Sequence, residues 1–236
     1  MTASATNSPG PLRARRAFTL VELLVVISII ALLGGLIGQA LTNKGGGGLA
    51  AAQGTVGGLL NFARSEAALT QGNARLLIYA TVPNADETRY LTQVQVVVPD
   101  PTSSSNWITK GDIVTLPPGT YVVPTTPPLV PVPLGATAWP AGAPTLNSTN
   151  LSLGSLKVDG VTTTSNYYYV EFSPLGTLNG AAANGFLLVL ASGQSHVPGD
   201  TTDTQPVRFL NSHDVRGLQV SQYGVETFLN DVTDFQ

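Results

Sequence analysis

Phe18 to Leu41 read FTLVELLVVISIIALLGGLIGQAL, 24 residues in which Glu22 is the only charge. As a helix this stretch rises about 36 Å at ~1.5 Å per residue, enough to cross a hydrocarbon core of ~30 Å. It is read as a membrane segment with one acid in it. An acidic residue at mid-bilayer costs roughly 2.5 to 3.5 kcal/mol on insertion scales, and less toward the rim, where Glu22 lies. Such an acid calls for a partner.

Outward from that segment, the 236 residues are enough for one membrane helix and one globular domain with a core of its own. Hydrophobic residues make up 43% and charged residues 11%, so polar surface has to come largely from Thr, Ser, Asn, Gln and Gly. Of the eleven Lys and Arg, three (Arg13, Arg15 and Arg16) precede the apolar run, which leaves eight against thirteen acids beyond Leu41, or about −5. The positive-inside rule keeps those arginines in the cytoplasm and exports the remainder in a single pass. An acidic exported domain is poorly suited to nucleic acid, and no nucleic-acid partner is expected. The absence of cysteine excludes disulfides and cysteine-based redox or zinc chemistry.

Residues 1–17, MTASATNSPGPLRARRA, are polar and hold no apolar run. An ordinary secretory signal offers one account, with Gly38 and Ala40 placed for a cut after Ala40, but its apolar run is short and it gives Glu22 no task. Arg15-Arg16-Ala17 followed by Phe18-Thr19-Leu20-Val21-Glu22-Leu23-Leu24 resembles the cleavage and methylation segment of type IV prepilins and type II secretion pseudopilins. The resemblance implies that a prepilin peptidase cuts between Ala17 and Phe18 and methylates Phe18, leaving Glu22 fifth in the mature chain. Ala17 stands where the family usually has Gly. It further implies other pilin or pseudopilin subunits, an inner-membrane platform protein and an assembly ATPase as partners. The chain would then sit in the inner membrane, its domain in the periplasm or in an extracellular filament.

On that basis the ammonium of Phe18 can meet a neighbouring subunit's Glu22 in a low-dielectric filament core, where pairing is worth far more than in water. Thr19-x-x-Glu22 is also the pattern of a capping box at a helix start. The assembly role is favoured, because capping alone does not call for a charge at the rim of a bilayer.

Gly34 and Gly38 form a G-x-x-x-G pair that allows close helix approach. Residues 42–49, with Lys44 and Gly45 to Gly48, read as a glycine-rich break before a second, amphipathic helix at 50–72. Val56, Leu59, Leu60, Ala63 and Ala67 form its apolar stripe, with Asn61, Arg64 and Ser65 away from it. Gly72 and Asn73 are stop signals. Residues 73–236 then read as a β-rich exported domain. Strands are expected at Arg75 to Val82, Tyr90 to Val98, Tyr167 to Phe172, Gly185 to Ala191 and Val207 to Leu210, with a hairpin over Val215 to Leu229 that turns at Tyr223-Gly224. A proline-rich insert, about 99–158, is expected to hold only short regular structure, with Tyr121 to Val123 pairing at a sheet edge. The run LNFARSEAALTQGNARLLIY, residues 60–79, resembles the helix-to-strand region of H-type minor pseudopilins, and Phe172-Ser173-Pro174-Leu175-Gly176 resembles a turn of that subgroup. The expected fold class is α+β: a long N-terminal helix, membrane half plus amphipathic half, packed on an antiparallel sheet domain.

Other chemistry is sparse. His196 and His213 have Ser195 and Asp214 as neighbours, yet adjacent residues seldom face one another and no G-x-S-x-G turn is present. Asp200 and Asp203 are the calcium candidates, but their spacing lacks the density of a known loop, so a solvated turn is the preferred reading. No cofactor is expected, and the chain is read as an enzyme's substrate, not an enzyme. A structural pilin-like subunit is the favoured function, and a membrane-anchored or secreted binding module the alternative. The acid at Glu22 separates these. Glu22→Gln keeps the capping capacity but cannot neutralise an amine, so filament yield in a reconstituted assembly system is expected to collapse; wild-type yield would rule out the assembly role.

Overall fold

The structure is a computed structural model and describes residues 45–81, 89–125, 146–161, 164–195, 207–209, 211 and 213–235. Helix α1 spans Gly45–Thr70. Its buried stripe is Leu49, Ala52, Gln53, Val56, Leu60, Ala63 and Ala67, spaced three and four apart apart from the Ala52-Gln53 step, while Leu59 is half-buried at its margin. Asn61 and Ser65 are exposed, as expected. The helix begins earlier than the sequence reading allows, since Gly45 to Gly48 form its first turn and not a break; residues 42–44 lie outside the described residues. Packing accounts for this: a Cβ at Gly48 would lie 3.3 Å from Thr120 Oγ1, so glycine lets the helix start close against the domain.

The helix ends with Gln71 at φ 49, the Gly72 amide donating to the Ala67 carbonyl and the Gln71 amide to that of Ala68. This is the 6→1 and 5→2 bonding of a Schellman stop, with Gln71 and not Gly72 in the left-handed position.

Eleven strands follow among the described residues: β1 Ala74–Tyr79, β2 Gln93–Asp100, β3 Ser103–Thr115, β4 Thr120–Val123, β5 Ser152–Val158, β6 Ser165–Phe172, β7 Leu178–Asn179, β8 Phe186–Ser195, β9 Val207–Phe209, β10 Val215–Val220 and β11 Glu226–Leu229. They make two sheets instead of the single antiparallel sheet expected. The first has the order β1-β2-β3-β5-β6-β7, and β6 also pairs with β1 from Ala74↔Phe172 to Tyr79↔Tyr167, so five strands close on themselves. Its one parallel contact is short, Asn106↔Lys157 and Trp107↔Val158. The second runs β11-β10-β8-β4, with β9 beside β8.

The insert departs most from expectation. β3 is 13 residues long, and β5 lies in the insert as well. No proline falls between Ser103 and Thr115, which is why a ladder can form there at all. A register shift between Val94 and Val96 marks a bulge in β3, where Gly111 at φ 69 passes close to Phe62 of α1. β4 sits at the edge of the second sheet, where Tyr121 to Val123 were expected. The hairpin of β10 and β11 also forms, paired from Gly217↔Leu229 to Val220↔Glu226. β1 stops at Tyr79, and β2 starts only at Gln93, after Leu91 has turned through φ 57.

One core joins the helix to both sheets, through Leu76 and Ile78 of β1, Val94 and Val96 of β2, Val170 and Phe172 of β6, Leu188 and Leu190 of β8 and Leu218 of β10. A second cluster takes residues from all five closing strands: Leu77, Val97, Trp107, Leu156, Val158, Tyr167 and Tyr169.

Gly54 and Gly58 lie in α1 with no atom within 4 Å of where a Cβ would be. Glycine in a helix interior costs about 0.5–1 kcal/mol relative to alanine, and nothing packs on these two to offset it. Gly54→Ala with Gly58→Ala should therefore raise the melting temperature of the full chain in detergent, by about 1–2 kcal/mol of stability in total; a fall would mean this face is covered.

Candidate functional site

The segment on which the functional reading rests, with Arg13, Arg15, Arg16, Ala17, Phe18 and Glu22, lies outside the described residues. What the structure describes is the grip of the domain on α1, the helix that follows that segment in the chain. Gln53 is almost fully buried, and its Nε2 donates to the carbonyls of Gly217 at 2.7 Å and Leu229 at 2.9 Å, one on each strand of the final hairpin. Its Oε1 accepts a longer bond from Arg216 Nη1 at 3.4 Å. A buried amide with both ends engaged fixes the rotation of α1 against that hairpin, since turning the helix leaves buried polar groups unpaired.

One turn further along, a Cβ at Gly57 would lie 2.8 Å from Glu226 Oε2 and 3.1 Å from Phe228, so this glycine makes room for an acid beneath the helix. Glu226 Oε1 is buried without a hydrogen-bond partner, and burial pushes its carboxyl above the ordinary value of 4.5. Arg64 closes the other end. Its Nε lies 2.8 Å from the Cβ position of Gly176 and its Cδ 3.3 Å from that of Gly224. Gly176 ends the Phe172-Ser173-Pro174-Leu175-Gly176 segment, which is a tight turn between β6 and β7, with the Gly176 amide donating to the Ser173 carbonyl at 2.9 Å. Gly176 and Gly224 have φ 74 and 72, so both need glycine twice over, for backbone conformation and for space under Arg64.

Of the remaining candidates, His196, Asp200 and Asp203 fall outside the described residues. Asp214 accepts a hydrogen bond from Ser192 Oγ, and His213 is exposed. Among the described residues no three of His, Cys, Asp and Glu are grouped to hold a metal. No helix among them is long and apolar enough to cross a membrane, and the apolar run Phe18 to Leu41 is not among them.

Sequence reasoning missed Gln53, Glu226 and Arg75. The Arg75 guanidinium is sandwiched between the rings of Trp107 at 4.0 Å and Tyr169 at 4.3 Å, and it pairs with Glu171. The only forewarning for Gln53 was its place in register with Val56 and Leu60.

The half-buried Glu226 has a pH signature. Its folded pKa is raised above the unfolded value, so its favourable contribution is present below about 4.5 and is lost as pH rises through the folded value. Glu226→Gln should melt above wild type at pH 7, with the gap closing toward about pH 4. A constant gap across that range would remove the charge penalty from the account.

A model of the prokaryotic N-terminal methylation motif matches residues 12–38, which takes in the three arginines, the Ala17-Phe18 junction and Glu22. No curated protein and no solved structure matches the chain. Residues 12–38 thus carry a prepilin-type N-terminal methylation signal, like that of type IV pilins and pseudopilins.

Proposed function

We propose that this chain is a structural minor subunit of a type II secretion pseudopilus or a type IV pilus-like filament, with H-type as the subgroup, and that it is not an enzyme. The observation that carries the reading is the prepilin-type signal at residues 12–38 with Glu22 inside its apolar run. Prepilin peptidase removes residues 1–17, and Phe18 becomes the methylated first residue. The subunit rests in the inner membrane with its domain on the far side, until a platform protein and an assembly ATPase draw it into the filament. There the ammonium of Phe18 neutralises a neighbour's Glu22.

The described domain fits the task in two respects. Its helix is anchored to both sheets by Gln53, Arg64 and the shared apolar core, so a pull on α1 is distributed over the whole domain. The outward face of that helix also carries small groups, Ala51, Gly54, Gly58, Ser65 and Ala68, which lets another backbone come close.

The test is to co-express the full chain with a prepilin peptidase and record its intact mass and first residue. Loss of residues 1–17 with one methyl group on Phe18 is the expected result. A cut after Ala40 would make the chain a secreted protein and end the filament reading; an uncut chain would mean either a permanently anchored domain or a peptidase that rejects Ala17, and Ala17→Gly left uncut as well would decide for the anchored domain.

A further inference from the structure

A cleft of about 540 Å³ lies at one end of the second sheet, away from the helix. Its floor crosses the strands. Thr149 is bridged to Leu187, Leu187 is opposite Gln219, and Gln219 is opposite Thr227, so these four residues make one row over the solvent face of the sheet. At ~4.8 Å between neighbouring strands the row is roughly 14 Å long. Asn150, Asn184, Gln222 and Tyr223 stand around its end.

Three properties of this cleft define what it takes. Among the described residues no acid, base or histidine lines it, so it offers nothing to an ionic ligand. Its exposed amides, on Asn184, Gln219 and Gln222, each present both a donor and an acceptor, the pattern that a vicinal hydroxyl pair satisfies. Tyr223 is 61% exposed and offers a flat aromatic face beside those amides, against which the C–H face of a sugar ring can lie.

The walls are also held rigid. The Ser221 amide donates to the Val225 carbonyl at 2.9 Å and the Gly224 amide to that of Ser221 at 2.8 Å, which fixes the turn bearing Gln222 and Tyr223. Asn150 holds a left-handed conformation at φ 60, and its Nδ2 donates to the Gly185 carbonyl at 2.9 Å. Gly185 is at φ 99, where a Cβ would lie 2.7 Å from the Val220 carbonyl oxygen. The left-handed Asn150 and its hydrogen bond to Gly185 fix the rim facing that turn, in conformations that Asn and Gly adopt readily. Pre-formed walls reduce the ordering cost of binding.

We infer that this cleft binds a neutral oligosaccharide, the sugar ring lying on Tyr223 and its hydroxyls on the amides of Gln219, Gln222 and Asn184. A peptide is a poorer fit. The row runs across the strands and not along one, so a peptide lying in it cannot add to the ladder, and among the described residues no charge lines it to meet a terminus.

The test uses the full chain in an amine-oxide detergent, since glycoside detergents would compete. Saturation-transfer NMR is run with neutral tetrasaccharides built on glucose, galactose, mannose and N-acetylglucosamine, and with sialyllactose as the anionic control. At least one neutral tetrasaccharide should bind at about 10 mM or below, with Tyr223→Ala and Gln219→Ala each weakening it by about tenfold or more. Both side chains are exposed, so their loss leaves the melting temperature unchanged. The inference is overturned if none of the neutral sugars binds, if sialyllactose binds equally well, or if Tyr223→Ala binds like wild type.

Discussion

Two sheets depend on one helix. β1, β2 and β6 of the closed sheet and β8 and β10 of the open one turn buried side chains onto the same face of α1, so the core that the two sheets share is completed by the helix. The close approach this requires is made by alanine: Ala52, Ala63 and Ala67 have no exposed surface and let the helix sit low across the join. Larger residues at those positions would lift the helix off one sheet to satisfy the other, and overpacking of this kind typically costs 1–3 kcal/mol per site. Gln53 adds what apolar contacts lack, a direction. Hydrophobic burial alone is indifferent to small rotations of a helix about its axis, whereas two hydrogen bonds to fixed carbonyls are not.

The closed sheet solves a different problem with a charge. Five strands turned on themselves leave an interior too narrow for many large side chains, and here the space is filled by Leu77, Val97, Val158 and Tyr167 with aromatic neighbours. Arg75 lies flat between Trp107 and Tyr169, so its planar cation occupies the slot an aromatic ring would otherwise fill. Glu171 neutralises it from the adjoining strand, and Asn73 Nδ2 holds the other carboxylate oxygen at 2.9 Å. The arrangement is worth about 0.5–2 kcal/mol per stacked face, and lysine could not reproduce it, having no plane to stack.

Much of this was legible wherever the signal was local. The stripe from Val56 to Ala67, the edge pairing at Tyr121 to Val123 and the final hairpin follow from spacing or turn chemistry within a few residues, and the turn at Pro174 from the resemblance its five residues carry. What escaped was non-local or disguised. β3 reads SSSNWITKGDIVT, with polar residues on its open face and Gly111 in a bulge, so it looked like a loop between prolines. The start of α1 in a run of glycines, with Gly48 set close to Thr120 and Pro117, is announced by no helix propensity. Gln53 reads as a surface residue until the two carbonyls it serves are brought to it from the far end of the chain. The closure of β6 on β1 and the parallel contact of β3 with β5 join segments whose pairing no short window contains. Of the candidate site, the signal was legible in full because it is contiguous, while the cleft beside Tyr223 was invisible because its floor is assembled from four separate segments.

The family signal is confined to residues 12–38, and the physics of the chain explains why it should be. A bilayer and a peptidase read local properties: a run of apolar residues, arginines on one side of it, a small residue at the cut and an acid at a fixed distance from the new amine. Each is set by residues a few positions apart, so none tolerates much change. The domain answers to a looser demand. It has to hold α1 along a stripe of small and apolar groups, and any pair of sheets that presents a matching face can do so. Glu226 shows how far that latitude extends, since an unpaired, half-buried carboxylate is kept under the helix at Gly57 where an apolar residue would pack with less strain. A domain optimised only for gripping its helix would not retain it. The tight constraint thus ends with the motif, and beyond it the sequence is free to build other surfaces, such as the row from Thr149 to Thr227.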